Sequence, residues 1–175
     1  HFWHERLSRA FRLRKKLGLT DHPGTNVYRL VNAEGDGMPG LIVDYYNGVL
    51  VMQAHSLGMH HLREMFASIW KDLLGDKLHA IYDKSSSTLP YYAPVEKKNA
   101  YLYGSPDNHW VSENGLQFRV NWESGQKTGF FIDQRDNRRL LQAYSKDARV
   151  LNLFSYTGGF SVYAAYGEIG RASCR

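Results

Sequence analysis

The dipeptide Asn47-Gly48 is flanked by two apolar runs, Leu41–Tyr45 and Val49–Ala54. Few sequence features restrict a chain more. An Asn-Gly pair between apolar runs supplies the two left-handed residues of a tight hairpin, so the flanking runs must be adjacent antiparallel strands. Immediately afterwards the period changes. Met59, Leu62, Phe66, Ile69 and Leu73 recur at spacings of three and four, which predicts one amphipathic helix ending near Gly75. Ala80–Asp83 reads as a further short strand. Val27–Val31 precedes the hairpin as another, separated from it by the turn cluster Gly35-Asp36-Gly37-Met38-Pro39-Gly40. Leu116, Phe118, Val120 and Trp122 alternate with polar residues as in a half-buried strand. Together these elements predict a small α+β module over residues 23–125.

Composition bounds the rest. The chain has 175 residues, room for one large domain or two small ones. Apolar residues make up 43% and charged residues 22%, which excludes disordered and collagen-like architectures. No run approaches the roughly 20 apolar residues of a membrane span, and no signal-peptide pattern opens the sequence. Cys174 is the single cysteine, so an internal disulfide framework and a Cys-rich zinc site are excluded. The expectation is a cytoplasmic protein with neither membrane nor metal as partner. The net charge of +5, with eight histidines in reserve, permits a nucleic-acid partner.

Two basic regions are candidates for such a partner. In the first predicted helix, Trp3, Leu7, Ala10 and Leu17 share a face, while Arg6, Arg9, Arg12, Arg14, Lys15 and Lys16 supply six cations. These serve either as a solvated face or as a phosphate-contacting surface, with Arg12, Lys15 and Lys16 as the named contacts. Gly18–Asn26 then reads as a connection. In the less regular stretch 84–110, Lys84, Lys97 and Lys98 are interleaved with Tyr91, Tyr92, Tyr101 and Tyr103. That composition suits unpaired bases held by stacking and charge. The favoured reading is plainer: a surface loop whose tyrosines pack back on the domain.

Two further strings carry chemistry. The first is Gly125-Gln126-Lys127-Thr128-Gly129-Phe130-Phe131-Ile132-Asp133-Gln134-Arg135-Asp136-Asn137-Arg138-Arg139. Asp133 is placed to cap a helix running to about Tyr144, with Asp136 near its positive end. A helix start of this kind suits a small anionic group, although most such caps bind nothing. The second is Arg149-Val150-Leu151-Asn152-Leu153-Phe154-Ser155-Tyr156-Thr157-Gly158-Gly159-Phe160-Ser161, an apolar strand turning through two glycines into a helix, Phe160–Tyr166. Cofactors bind at such turns in open α/β sheets. The string is neither a Walker loop nor a full dinucleotide fingerprint, and a lone Gly-Gly turn is more often structural.

In combination the two strings resemble one family: the class I S-adenosylmethionine-dependent methyltransferases that act on carbon 5 of a cytosine in large-subunit ribosomal RNA. Tyr28-Arg29-Leu30-Val31-Asn32-Ala33-Glu34-Gly35-Asp36-Gly37-Met38-Pro39-Gly40-Leu41-Ile42-Val43-Asp44 and Ile81-Tyr82-Asp83-Lys84-Ser85 are similar to the same family, and the likeness spans residues 1–167. The resemblance implies an RNA-binding PUA domain, a central α+β domain and a Rossmann-like catalytic domain. On that pattern, residues 1–22 are the connecting helix after a PUA domain that is missing here. Residues 23–125 are the central α+β domain, and 126–167 the truncated start of the α/β Rossmann-like methyltransferase domain. Residues 168–175 depart from the family and read as a foreign tail, like a translated sequencing adapter.

The resemblance also assigns a cofactor site. Phe154, Ser155, Tyr156, Thr157, Gly158 and Gly159 form the first S-adenosylmethionine motif, and Thr128, Gly129, Phe131, Gln134 and Arg135 lie over the same pocket. A glycine turn, a cation and two aromatic rings suit a ligand with a carboxylate and an apolar adenosine. For Arg135 the alternative is a surface ion pair with Asp133 or Asp136. The family's acidic residue after the second strand, its Asp-Pro-Pro-Lys segment and its nucleophilic cysteine have no counterparts. That cysteine adds to carbon 6 of the base so that carbon 5 attacks the methyl group; Cys174 has the wrong flanks for it. The whole protein is thus expected to methylate rRNA, with a homodimer possible, and these 175 residues to be inactive, their last strand and helix mobile or docking loosely on the central domain. A non-catalytic RNA-binding module and a methyltransferase for another RNA base are the alternatives.

Overall fold

A computed structural model describes the backbone of residues 1–106 and 108–174, and the side chains of 1–106 and 108–170. The sulfur of Cys174 thus lies outside the described residues. Helix α1 (Phe2–Lys16) leads into β1 (Val27–Asn32), β2 (Leu41–Tyr46) and β3 (Val49–Ala54), followed by α2 (Leu57–His61), α3 (Arg63–Leu74), β4 (Ala80–Asp83) and β5 (Ala100–Tyr103). A hairpin, β6 (Trp110–Glu113) and β7 (Leu116–Arg119), precedes α4 (Arg135–Ala143), β8 (Arg149–Asn152), α5 (Gly159–Tyr166) and β9 (Arg171–Cys174).

The predicted hairpin is present. Asn47 and Gly48 both adopt positive φ, at 44° and 89°, and β2 pairs with β3 in continuous register from Tyr46↔Val49 to Leu41↔Ala54. Strands β1 to β5 form one sheet in sequence order, with β3 and β4 parallel and the other neighbours antiparallel. The crossover between the parallel pair is α2–α3. The single helix expected over 59–73 is thus two helices broken at Leu62, where the apolar spacing runs on without interruption. The break has a local cause. The Ser56 hydroxyl caps α2 by accepting from the Met59 amide at 3.3 Å, and the Leu62 amide turns back to the Met59 carbonyl at 3.2 Å.

Each face of the sheet carries its own core. Leu7 and Ala10 of α1 and Phe66, Trp70 and Leu74 of α3 pack with Leu30, Val43, Leu50 and Ile81 on one face. On the other, Val27, Tyr46, Val51, Ala80 and Tyr82 meet Val111, Phe118, Val120, Trp122, Phe130 and Tyr163. Strand β3 is consequently buried at all six positions. A polar lock holds α1 in place: buried Arg14 donates to both carboxylate oxygens of Asp36, at 2.5 and 2.7 Å, and to the Arg29 carbonyl at 3.0 Å.

The β6–β7 hairpin turns on Asn114-Gly115, with φ of 52° and 81°. It occupies ground where a loop and the start of one longer strand are expected from the sequence. Asp133 does not cap α4; it lies in a short 3-10 turn, Ile132–Gln134, and accepts from the Gln134 side chain at 3.0 Å. Strand β8 pairs in parallel with β9. No helix of the described residues is long and apolar enough to cross a membrane.

Candidate cofactor site

The turn between β8 and α5 is held in an unusual backbone state. Phe154, Tyr156 and Gly158 have φ of 59°, 48° and 71°. Left-handed backbone costs on the order of 1 kcal/mol for a residue with a side chain, so two such residues beside a glycine need outside support. Tyr156 supplies it. Its hydroxyl accepts from the Gln126 amide at 2.9 Å and donates to the Gly129 carbonyl at 3.1 Å. Its ring meets Phe131 edge-on, 5.4 Å between centroids. Behind the turn, the Asn152 amide donates to Ser161 at 2.8 Å, tying the strand end to the helix start. The outer side is open: Phe154 is 96% exposed, and a Cβ at Gly158 would meet nothing within 4 Å. A side chain at Gly158 is thus disfavoured by backbone conformation and not by crowding.

The segment beneath this turn is fastened to the sheet at Thr128. The Thr128 hydroxyl donates to Asp44 Oδ2 at 2.6 Å and accepts from the Tyr46 hydroxyl at 2.9 Å. Asp44 is fully buried and also accepts two hydrogen bonds from Arg29, at 2.9 and 3.1 Å. Burial holds the Tyr46 phenol well above its ordinary pKa. Gly129, at φ 116°, would place a Cβ 2.9 Å from Trp122 Cα, so close backbone approach requires glycine there. Lys84 fixes the same segment from below: its buried ammonium donates to the carbonyls of Trp122 and Gly125, both at 2.5 Å. Burial lowers its pKa. Lys84 therefore serves the fold where an RNA contact was expected of it.

A second polar cluster centres on Glu113, which is fully buried. Arg138 donates to both its carboxylate oxygens at 2.9 Å, Arg135 Nε donates at 3.1 Å, and the Tyr163 hydroxyl donates at 3.0 Å. Arg135 also donates to the Val27 carbonyl. Its partner is thus Glu113, neither of the aspartates considered for it, and this pairing directs it to the sheet. The Arg138 guanidinium lies over the Phe130 ring at 4.6 Å, and a Cβ on Gly159 would sit 3.1 Å from Arg138 Cδ. Burial and Glu113 push the Tyr163 phenol up to about 12. Helix α5 is therefore joined to the β6–β7 hairpin through the Tyr163 hydroxyl at Glu113.

Gly129, Phe131 and Tyr156 thus come together, with Gly158 on the open rim and Gly159 packed on α4. Thr128 and Arg135 face the sheet. Gln134 is at the start of α4, where it accepts from Asn137 at 3.0 Å. Glu113, Arg138 and Tyr163 were not singled out in the sequence. The Asn114-Gly115 signal locates the hairpin that carries Glu113, but no local pattern marks the glutamate itself.

Of the remaining basic candidates, Arg12, Lys15 and Lys16 are exposed on α1, with Arg12 paired to Glu5 at 2.8 Å. Arg6, Arg9, Arg12 and Lys16 line a groove of about 470 Å³ against Gly35–Gly37. Tyr91 and Tyr92 are 97% and 84% exposed, so they do not pack back on the domain. Lys97 lies 5.4 Å over the Tyr91 ring, and Lys98 is exposed beside them. Among the described residues, no three His, Cys, Asp or Glu side chains are grouped as metal ligands.

A glycine turn at the carboxyl end of a strand paired in parallel, running into a helix, is the cofactor-binding arrangement of α/β transferases. Residues 39–173 match the S-adenosylmethionine-dependent methyltransferase family, and the chain belongs to that family. The ribosomal RNA large subunit methyltransferase I of Alteromonas mediterranea is 41% identical over 167 residues, an alignment covering 95% of this chain and 41% of the relative. A solved structure from Streptococcus mutans, described as a SAM-dependent methyltransferase, matches with a TM-score of 0.83 at 27% identity, over 99% of this chain and 44% of that one. Another, a methyltransferase complexed with SAH, matches with a TM-score of 0.81 at 27% identity, over 99% and 43%. The chain thus spans about two-fifths of the length of the curated relative. The family's cofactor is S-adenosylmethionine.

Proposed function

We propose that the protein of which these residues are part transfers a methyl group from S-adenosylmethionine to carbon 5 of a cytosine in large-subunit rRNA. The observation that carries this reading is the open left-handed turn Phe154–Gly158, braced from behind by Tyr156 on the Gln126–Gly129 segment. Bound there, S-adenosylmethionine supplies an electrophilic methyl group. Phe154, Ser155, Tyr156, Thr157 and Gly158 would line its site, with Gly129 and Phe131 alongside. Gly158 leaves room for close backbone approach, and Phe154 offers an apolar surface. Thr128 and Arg135, committed to Asp44 and Glu113, act by positioning the segment and α4.

On this reading, residues 23–125 are a central α+β domain and β8–α5 the opening unit of a Rossmann-like catalytic sheet. Arg12 and Lys16 in the groove of α1, Lys15 on the same helix outside the groove, and Lys97 and Lys98 contact RNA phosphates. We infer further that the 175 residues alone do not methylate, because the relatives that carry the activity are more than twice as long.

The test is methyl transfer from labelled S-adenosylmethionine to unmodified large-subunit rRNA, with the product identified by nucleoside mass spectrometry. A chain extended to the length of its relatives should yield 5-methylcytidine, and the 175 residues none. Any other methylated nucleoside removes the carbon-5 assignment, and turnover by the 175 residues removes the inactivity.

A further inference from the structure

A cavity of about 540 Å³ opens on the α1–α3 side of the sheet, opposite the Thr128 segment. Its walls include His60, His61, Arg63, Asp83, Lys98 and Tyr101. It takes no part in the site described above. Asp83 ends β4 and is 2% exposed. Its Oδ1 is engaged by the amide of Ser85 at 3.1 Å and by the Ser85 hydroxyl. Its Oδ2 accepts no hydrogen bond and is held only by a longer ion pair with Arg63 Nε at 3.6 Å, with His60 Nδ1 3.8 Å away. His60 is 5% exposed, and its Nδ1 has no hydrogen-bond partner. Buried polar groups are nearly always satisfied, so an unpartnered His60 Nδ1 beside a carboxylate oxygen that accepts no hydrogen bond marks a place that something else completes.

The charges describe the ligand. Asp83, Glu64 and Glu96 face Arg63 and Lys98, so the cavity has no excess of positive charge and is not built for a phosphate. What it offers is an acceptor, Asp83 Oδ2, beside a donor, the Arg63 guanidinium, which is oriented by its bond to the His60 carbonyl at 3.0 Å. An amine next to a ring acceptor complements that pair. Cytosine and adenine carry this edge, and uracil, with a carbonyl in place of the amine, does not. The adjoining segment provides the setting for single-stranded RNA, since Tyr91 and Tyr92 stand exposed with Lys97 over the Tyr91 ring.

We propose that this cavity binds one unpaired, amine-bearing base, cytosine or adenine, of a single-stranded RNA. The exocyclic amine donates to Asp83, and Arg63 donates to the adjacent ring acceptor. The base is distinct from the one methylated, because the cavity and the Tyr156 turn lie on opposite faces of the sheet. The proposal rests on the RNA reading given above.

The experiment follows the His60 and His61 ring signals of the 175-residue chain by NMR during titration with cytidine, adenosine and uridine. Cytidine and adenosine should move the His60 signal, with uridine at least about tenfold weaker. R63Q, at a half-exposed side chain whose loss leaves the core intact, should weaken cytidine about tenfold. Equal response to all three nucleosides, indifference to R63Q, or no response at all, which means a cavity filled by solvent only, overturns the proposal. A parallel arm measures salt-dependent binding of a mixed-sequence single-stranded RNA, with R9Q/K16Q as the control variant. Base selectivity without oligomer binding sinks the RNA reading and keeps the pocket; oligomer binding without base selectivity does the reverse.

Discussion

The five-stranded sheet and the β8–α5 unit solve the burial problem differently. Strand β3 is covered on both faces, and the polar groups near it are locked in pairs such as Asp44 with Arg29 and Thr128. Strand β8, by contrast, leaves Leu151 59% exposed and is followed by Leu153 at 55% and Phe154 at 96%. The unit is held chiefly by α5, through Tyr163 at Glu113, and by the Tyr156 hydroxyl. The lesson is a division of labour. The sheet is a platform with little freedom, and the turn is a strained, exposed edge positioned by a few directional bonds, as expected where a ligand must enter.

Substitutions separate the two regions. Trp70→Ala removes a fully buried ring from the helix-covered core and should cost about 3–5 kcal/mol, lowering the urea midpoint and the exchange protection of every element together. Glu113→Ala leaves buried Arg138 without its counter-charge, at a cost of about 3–5 kcal/mol. Here amide exchange should accelerate in α4 and α5 while β2 and β3 keep their protection. Uniform loss everywhere would mean that the two regions are one cooperative unit.

Tyr163→Phe should cost about 1 kcal/mol at neutral pH through its lost bond to Glu113. It also has an alkaline signature. With its phenol raised to about 12, folded Tyr163 keeps its proton between the ordinary value near 10 and 12 while the unfolded chain loses its own. The unfolded state then binds fewer protons, so stability falls as pH rises through that window. In the Phe variant that part of the fall should be missing from urea midpoints measured from pH 9 to 12. Tyr156→Phe, at about 1 kcal/mol or less, should speed exchange of the Gln126 amide and leave the core unchanged. Smallest of all, Phe154→Ser should shift the urea midpoint by less than about 0.5 kcal/mol equivalent, because that ring touches little. The same change should weaken S-adenosylmethionine binding by calorimetry, which separates ligand surface from scaffold.

What was legible in the sequence was what is local. Asn47-Gly48 specifies its hairpin because two positive-φ positions are encoded by two adjacent residues, and the glycine turn after β8 declares itself likewise. The break at Leu62 was hidden because the apolar face continues through it, and only the Ser56 cap marks the short helix. The Glu113–Arg138 pair joins residues 25 apart and the Lys84–Trp122 bond residues 38 apart, so no window of sequence contains either. Lys84 and Arg135 were read as surface or ligand cations because composition cannot distinguish a charge that meets solvent from one that meets a carbonyl. Tyr91 and Tyr92 show the converse: aromatic rings expected to pack inward stand in solvent.

The Thr128 bridge has a consequence for synthesis. Its partners Asp44 and Tyr46 precede it by 84 and 82 residues. At roughly 5–20 residues per second, a ribosome needs on the order of ten seconds to deliver Thr128 after Tyr46 has emerged. In the later part of that interval, once β4 has emerged, β1 to β4 can pair and α1 and α3 can cover one side, while Val27, Tyr46, Val51 and Tyr82 present a bare apolar wall to solvent. The nascent chain is therefore a natural client for a holding chaperone, and slowing translation between codons 83 and 128 would lengthen its dependence on one.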